Sequence, residues 1–291
     1  MMMRIDPARV LDKAGPRIIR IDGWLCGGLR WLAVGLFLVA GCGIDKPFIY
    51  HPEREIQATP ESVGLSYDDV YFKTADGVSL NGWFVPGPDP SKVMIWFHGN
   101  GGNMSHRVKR LRLFHDELGL SVFLFDYREY GRSGGSVSEE GTYQDAQAAL
   151  RYLKTRTGLL ANRIIYFGHS LGSAVAVHLA VEAPPRALIL ESPITSIDDM
   201  ARVKLPYLPV GFMIHDKYDA FSRIGKVHAP LLVLHGDRDE VVPFDQGRRL
   251  FEAANPPKVF YVIPDAHHND TFTAGGQPYW KAWKRFLDRL E

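Results

Sequence analysis

From Lys92 onward the chain repeats one grammar, a short unbroken apolar run followed by a longer stretch of helical character. The runs are "KVMIWFHG", "SVFLFDY", "RIIYFGHS", "ALILES", "PLLVLHGD" and "KVFYVIP", as expected of strands buried on both faces. Helical stretches separate them, around Val108–Leu118, Gln144–Thr157, Leu171–Ala183, Phe244–Ala254 and Tyr279–Leu290. Strands alternating with helices predict an α/β fold built on a parallel, doubly wound sheet. Ahead of it, "DDVYFKTADGVSLNGWFVP" obeys a different rule. Two alternating runs flank Asp76-Gly77, which predicts an antiparallel hairpin leading into the sheet.

Two segments fall outside this grammar. "DKPFIYHPEREIQATPESVGL" contains prolines and has no period, so residues 42–64 read as a tether before a body spanning 65–291. Residues 192–229 are rich in Pro, Met and aromatics ("KLPYLPVGFMIHDKY") and follow a strand end. Ligands of open α/β sheets bind at the carboxyl ends of strands. The segment therefore reads either as a small cap over a site or as an ordinary helical crossover.

The composition narrows the function classes. With 291 residues and 46% hydrophobic, the chain suits one large α/β domain or two small ones. A formal net charge of +1 provides no field for nucleic acid. The charge is unevenly placed, with six bases against three acids up to Gly41. Both cysteines, Cys26 and Cys42, lie in this N-terminal part, so the body has no disulfide framework and no thiolate metal site. No His-Glu-x-x-His pattern occurs either, and no metal or cofactor is expected. "WLAVGLFLVAGCG" is short for a bilayer span, which needs about 20 apolar residues. It ends in Val-Ala-Gly-Cys and resembles a bacterial lipobox. The expectation is a signal peptide over residues 1–41, cleavage before Cys42, and acylation of its thiol and new amine. A membrane would then be a partner, with the body outside the cytoplasm. The alternative is an uncleaved anchor starting near Trp24 and interrupted by Arg30.

The sharpest chemical signal is "YFGHSLGSA". Gly168-His169-Ser170-Leu171-Gly172 matches G-x-S-x-G between a buried strand and a small-residue helix, the setting in which that turn presents a nucleophile. A serine hydroxyl needs a base, and the base an orienting acid, following Ser170 in the order acid then histidine. His178 sits inside a helix and His235 ends a strand, so both read as structural. His267 and His268 follow the last strand, where a loop returns to the sheet's carboxyl edge. "HGDRDEVVP" offers Asp237, Asp239 and Glu240; Asp239 lies well into the turn, whereas Asp237 is better placed to bond backbone amides. For the oxyanion, the Leu171 amide is one donor, and the second falls to Asn100 or Gly101 in "FHGNGGNMSH". That loop lacks the Gly-Lys-Ser/Thr of a phosphate cradle.

With these residues assembled, the chain resembles an α/β-hydrolase, closest to the small-cap serine hydrolases that include bacterial esterases and eukaryotic protein depalmitoylases. The likeness runs from about Leu65 to the C-terminus through "FHGNGGN", "FDYREYGRSGG", "GHSLGS", "YDAFSRIGKV", "LHGDRDEVVP" and "HHND". Such relatives commonly read Gly-His-Asn-Asp at the end, which implies His268 as base and puts His267 where glycine is usual. The "HGxxDxxVP" pattern implies Asp239 as acid. Glu129 also replaces a usual glycine, and Asp126 with Arg132 is implied to fix the loop beside the nucleophile turn. The expected activity is hydrolysis of carboxylic esters or thioesters by Ser170, His268 and Asp239, with the Leu171 and Asn100 amides holding the oxyanion. Two other readings stand beside it. One is an aminopeptidase-like enzyme using the cap acids Asp198, Asp199, Asp216 and Asp219. The other is a non-catalytic, membrane-tethered binding module.

Overall fold

A computed structural model describes residues 46–204, 207 and 214–290. The hairpin strands β1 (Asp68–Lys73) and β2 (Ser79–Val85) pair antiparallel, joined by a Thr74–Val78 loop in which Gly77 takes a φ of 85°. The six apolar runs form β3 (Val93–Phe97), β4 (Ser121–Phe125), β5 (Ile164–His169), β6 (Ala187–Glu191), β7 (Leu231–Gly236) and β8 (Lys258–Ile263). All six are mutually parallel, and the eight-stranded sheet has the order β8-β7-β6-β5-β3-β4-β2-β1. The principal helices are α1 (Val108–Leu118), α2 (Glu139–Thr157), α3 (Leu171–Glu182), α4 (Ile197–Lys204), α5 (Phe244–Ala253) and α6 (Gly276–Asp288).

Alternation along the buried strands distributes side chains to two cores. Ile95, Phe97, Phe123 and Phe125 face a cluster completed by α2 and α3, including Tyr143, Leu150, Val175 and Leu179. Met94, Trp96, Val122 and Leu124 face the other side, against Leu111 and Phe114 of α1 and Trp280 and Trp283 of α6. Apolar residues on both faces are why these strands read as continuous runs. The last run departs from that reading. β8 is an edge strand with a neighbour on one side only, and Lys258–Val262 are half-buried or exposed.

The stretch read as a tether is laid along the body over its described part. Lys46–Ile49 form a helical turn, His51–Pro52 pair in parallel with Gly101–Gly102, and Pro60–Val63 form a 3₁₀ turn. It shows no period because two short turns alternate with backbone bonds to the body, from the His51 and Glu53 amides to the Asn100 and Gly102 carbonyls. The proposed signal segment, Cys42 and residues 43–45 lie outside the described residues. Among the described residues no helix is long and apolar enough to cross a membrane. Residues 192–229 connect β6 to the adjacent parallel β7 and carry α4, which has no fully buried residue, and a turn at Phe221–Ile224.

Candidate active site

The sheet brings together the carboxyl ends of β3, β5, β6, β7 and β8, and the candidate residues sit on the loops that leave them. Ser170 follows β5 with φ 54° and ψ −123°, a region that costs a side-chain-bearing residue about 1–3 kcal/mol. Its neighbours hold it there. The Ser170 amide donates to the Glu191 carbonyl at 3.0 Å, and the Ser170 carbonyl accepts from the Ser173 amide at 2.9 Å and hydroxyl at 2.5 Å. A Cβ on Gly168 would lie 2.6 Å from the Gly172 carbonyl oxygen, and one on Gly172 would collide with the Phe97 carbonyl. Only glycine at both positions lets β5, β3 and α3 approach so closely. Leu171 is then the first residue of α3, whose leading amides have no helical partner.

The other two candidates meet at the ends of β7 and β8. His268 Nδ1 lies 2.8 Å from Asp239 Oδ2 and 3.1 Å from Oδ1, with both side chains buried. A carboxylate only accepts, so Nδ1 carries the proton and Nε2 is left as the basic nitrogen. Asp239 Oδ1 also accepts the Val241 and Val242 amides at 3.0 and 2.8 Å, and His235 Nε2 lies 3.5 Å from Oδ2. Burial opposes the charge on Asp239. The bonds from His235, His268 and the Val242 amide outweigh it, and its carboxyl is held far below the usual range.

The three acids of "HGDRDEVVP" thus sort themselves by partner. Asp237 accepts the Asp265 amide at 2.7 Å, Asp239 takes His268, and Glu240 pairs with His267 Nδ1 at 2.9 Å. His267 points outward and is exposed, so it does not crowd the loop from the glycine position. His178 stacks on Tyr143 with ring centroids 3.6 Å apart, and His235 Nε2 donates to the Val242 carbonyl at 3.0 Å. Glu129, at φ 74°, accepts the Val137 amide. Asp126 accepts the Met104 amide beneath the glycine-rich loop, whereas Arg132 pairs with Asp69 on the hairpin instead of reaching that loop. Asn100 lies in the loop after β3, its carbonyl accepting from the Tyr130 hydroxyl and the His51 amide.

Sequence reasoning missed the group beneath the site. Glu191, closing β6, is fully buried and bonds Arg110 at 2.5 Å, the Thr271 hydroxyl at 2.7 Å and the Tyr279 hydroxyl at 2.7 Å. Arg110 lies 5.1 to 5.6 Å from the ring centroids of Trp96, Phe114, Phe167 and Phe272. His169 Nε2 is 3.3 Å from the His268 carbonyl and 3.9 Å from Glu191. Burial, with His268 nearby, pushes the His169 imidazole down to about 3, so it stays neutral. An acid ending an otherwise apolar strand, as in "ALILES", was the available signal. Among the described residues no cluster of His, Cys, Asp or Glu could hold a metal.

Comparisons with known proteins agree with this architecture. Residues 88–214 match the family model described as Hydrolase_4, serine aminopeptidase, S33. An uncharacterized protein of Mycobacterium tuberculosis is 42% identical over 247 residues, covering 84% of this chain and 87% of that protein. The alpha/beta hydrolase domain-containing protein WAV2 of Arabidopsis thaliana is 36% identical, covering 88% of this chain and 92% of its own length. Among solved structures, a Pyrococcus furiosus esterase superposes with a TM-score of 0.69 at 24% identity, over 83% of this chain and 98% of that one. A nucleophile-elbow strand order with these loops defines a hydrolase architecture. The chain belongs to the α/β-hydrolase superfamily.

Proposed function

We propose that this hydrolase cleaves carboxylic esters or thioesters through an acyl-enzyme on Ser170. The observation that carries the reading is the His268–Asp239 pair, which fixes the histidine tautomer on a loop whose His268 carbonyl lies 3.3 Å from His169, the residue before the serine held in the strained turn after β5. His268 Nε2 takes the Ser170 proton as the hydroxyl attacks the acyl carbon. The collapsing intermediate expels the alcohol or thiol, which receives that proton. A water activated by the same nitrogen then releases the acid. The Leu171 amide and an amide of the Asn100 loop face the developing oxyanion; losing one such donor typically costs about 2.7–4 kcal/mol.

Peptidase action on free N-termini is less well supported, because the cap acids already have partners. Asp198 pairs with Lys217, Asp199 with Arg202, and Asp219 accepts the Ser222 amide, while Asp216 accepts the Tyr50 hydroxyl. A binding module would have no use for an ionised acid buried against the base. The test is a fluorophosphonate probe with mapping of the adduct. Wild type should label on Ser170 and Ser170→Ala should not; an unlabelled Ser170, or undiminished labelling of the variant, would sink the mechanism.

The substrate class follows from the expected anchor at Cys42, which we propose places the body at a membrane, outside the cytoplasm. Three residues, 43–45, separate Cys42 from the Lys46–Ile49 helical turn, at most about 14 Å of extended chain. Acyl lipids or lipidated proteins would be close at hand. Hydrolysis rates on a thioester series should rise from short to long acyl chains. Equal or short-chain-favouring rates would count against a lipidic substrate and leave the serine mechanism standing.

A further inference from the structure

The glycine-rich loop after β3 must hold an amide still, yet Gly99, Gly101 and Gly102 have no side chains with which to anchor it. The anchor comes from the segment that precedes the body. The His51 amide donates to the Asn100 carbonyl at 3.1 Å and the Glu53 amide to the Gly102 carbonyl at 3.2 Å. In return the Asn100 side-chain amide donates to the Ile49 carbonyl at 2.7 Å. The Asn103 side chain donates to the Glu53 and Glu55 carbonyls at 3.0 and 2.6 Å. The same segment reaches two further loops. Gly131 donates to the Glu53 carbonyl at 2.9 Å, and the buried Tyr50 hydroxyl reaches Asp216 at 2.7 Å and Tyr218 at 2.9 Å in the β6–β7 connection.

Peptide planarity turns these bonds into an orientation. A trans peptide points its carbonyl and its N–H in opposite directions, so holding the Asn100 carbonyl fixes where the Gly101 amide aims, while the Asn100 side chain on the Ile49 carbonyl holds the residue whose own amide, one peptide earlier, is the other candidate donor. That carbonyl is held by two donors, the His51 amide and the Tyr130 hydroxyl at 2.7 Å. An oxyanion donor contributes only when it is already in place as charge develops. We propose that Ile49–Glu53 is a positioning strap for the oxyanion loop, in which the His51 backbone N–H sets the Asn100–Gly101 peptide and, together with the Asn100 side-chain bond to the Ile49 carbonyl, the Asn100 amide that precedes it. The proposal rests on the serine-hydrolase reading above. It makes the stretch that follows the expected anchor a working part of the site, tying the loop of the oxyanion to the connection that carries α4.

Because the effective group is a backbone donor, two substitutions at one position separate it from the side chain. His51 is exposed, so His51→Ala keeps the N–H and should retain kcat within about twofold. His51→Pro removes the N–H. In the full-length chain it should lower kcat by about 10- to 100-fold, with KM within about threefold. Melting temperature should be little changed, since one peripheral bond is lost. Equal kcat in the Pro and Ala variants, or equal losses in both, would overturn the strap. Where His51→Pro does not fold, Glu53→Pro against Glu53→Ala makes the same comparison at the Gly102 carbonyl. Failure of wild type to label on Ser170 would instead overturn the hydrolase reading beneath it.

Discussion

His268→Ala is expected to lower kcat by about four to six orders of magnitude, while His267→Ala stays within about threefold of wild type. The two side chains are neighbours in sequence and opposites in setting. His268 is buried, with Nδ1 committed to Asp239 and Nε2 free to take a proton. His267 is exposed and its Nδ1 lies 2.9 Å from Glu240, also exposed, and such a surface pair is worth at most about 0–1 kcal/mol. Its main-chain amide donates to Asp270 at 2.7 Å, a bond that alanine preserves. Loss of His268 should also slow fluorophosphonate labelling of Ser170, because the hydroxyl then has no base. Steady-state hydrolysis of an acyl thioester by the two purified variants decides the matter. A silent His267→Ala enzyme beside an active His268→Ala enzyme would reverse the assignment.

That pair also shows how far sequence reading reached. The sheet was legible because strands with two covered faces must be apolar at every position, and six such runs stand between helical stretches. The edge strand β8 escaped, since its apolar run is that of a covered strand although only one side has a neighbour. Ser170 was legible because its turn demands glycine on both sides at fixed spacing. The two histidines were not separable by spacing, since an irregular loop sends adjacent side chains in directions no period describes. Likeness to relatives favoured His268, and the acids around it now give the physical reason. Least legible was everything built from contacts distant in sequence. The segment around His51 meets its loop about fifty residues away, and Glu191 meets Arg110 across 81 residues. Neither leaves a local pattern beyond scattered prolines or a lone acid.

Glu191→Gln is expected to destabilise the fold by about 3–5 kcal/mol, the cost of removing one partner from a buried ion pair. The carboxylate neutralises Arg110 in a setting of four aromatic rings and accepts hydroxyls from Thr271 and Tyr279. The amide would leave the guanidinium uncompensated and could accept through one oxygen only. Urea titration should show a lower midpoint with an unchanged slope. Burial works against the Glu191 charge, yet Arg110 outweighs it and the folded carboxyl sits below its usual value of 4.5. A depressed carboxyl contributes stability that is present above the unfolded pKa and lost as pH falls through the folded one. His169 adds the same sign: it is neutral when folded, so stability also declines as pH drops from about 6.5 toward 3. Glu191→Gln should remove the carboxyl's share of this acid sensitivity and leave the imidazole's. Replacing both partners, as Arg110→Met with Glu191→Met, removes the uncompensated charge and should recover stability relative to the single variant. Thr271, three residues after His268, would still lose the acceptor that ties its loop to β6. The double variant should therefore fold better than Glu191→Gln and turn over more slowly than wild type. Wild-type kcat in a stable double variant would mean that the pair serves the fold alone.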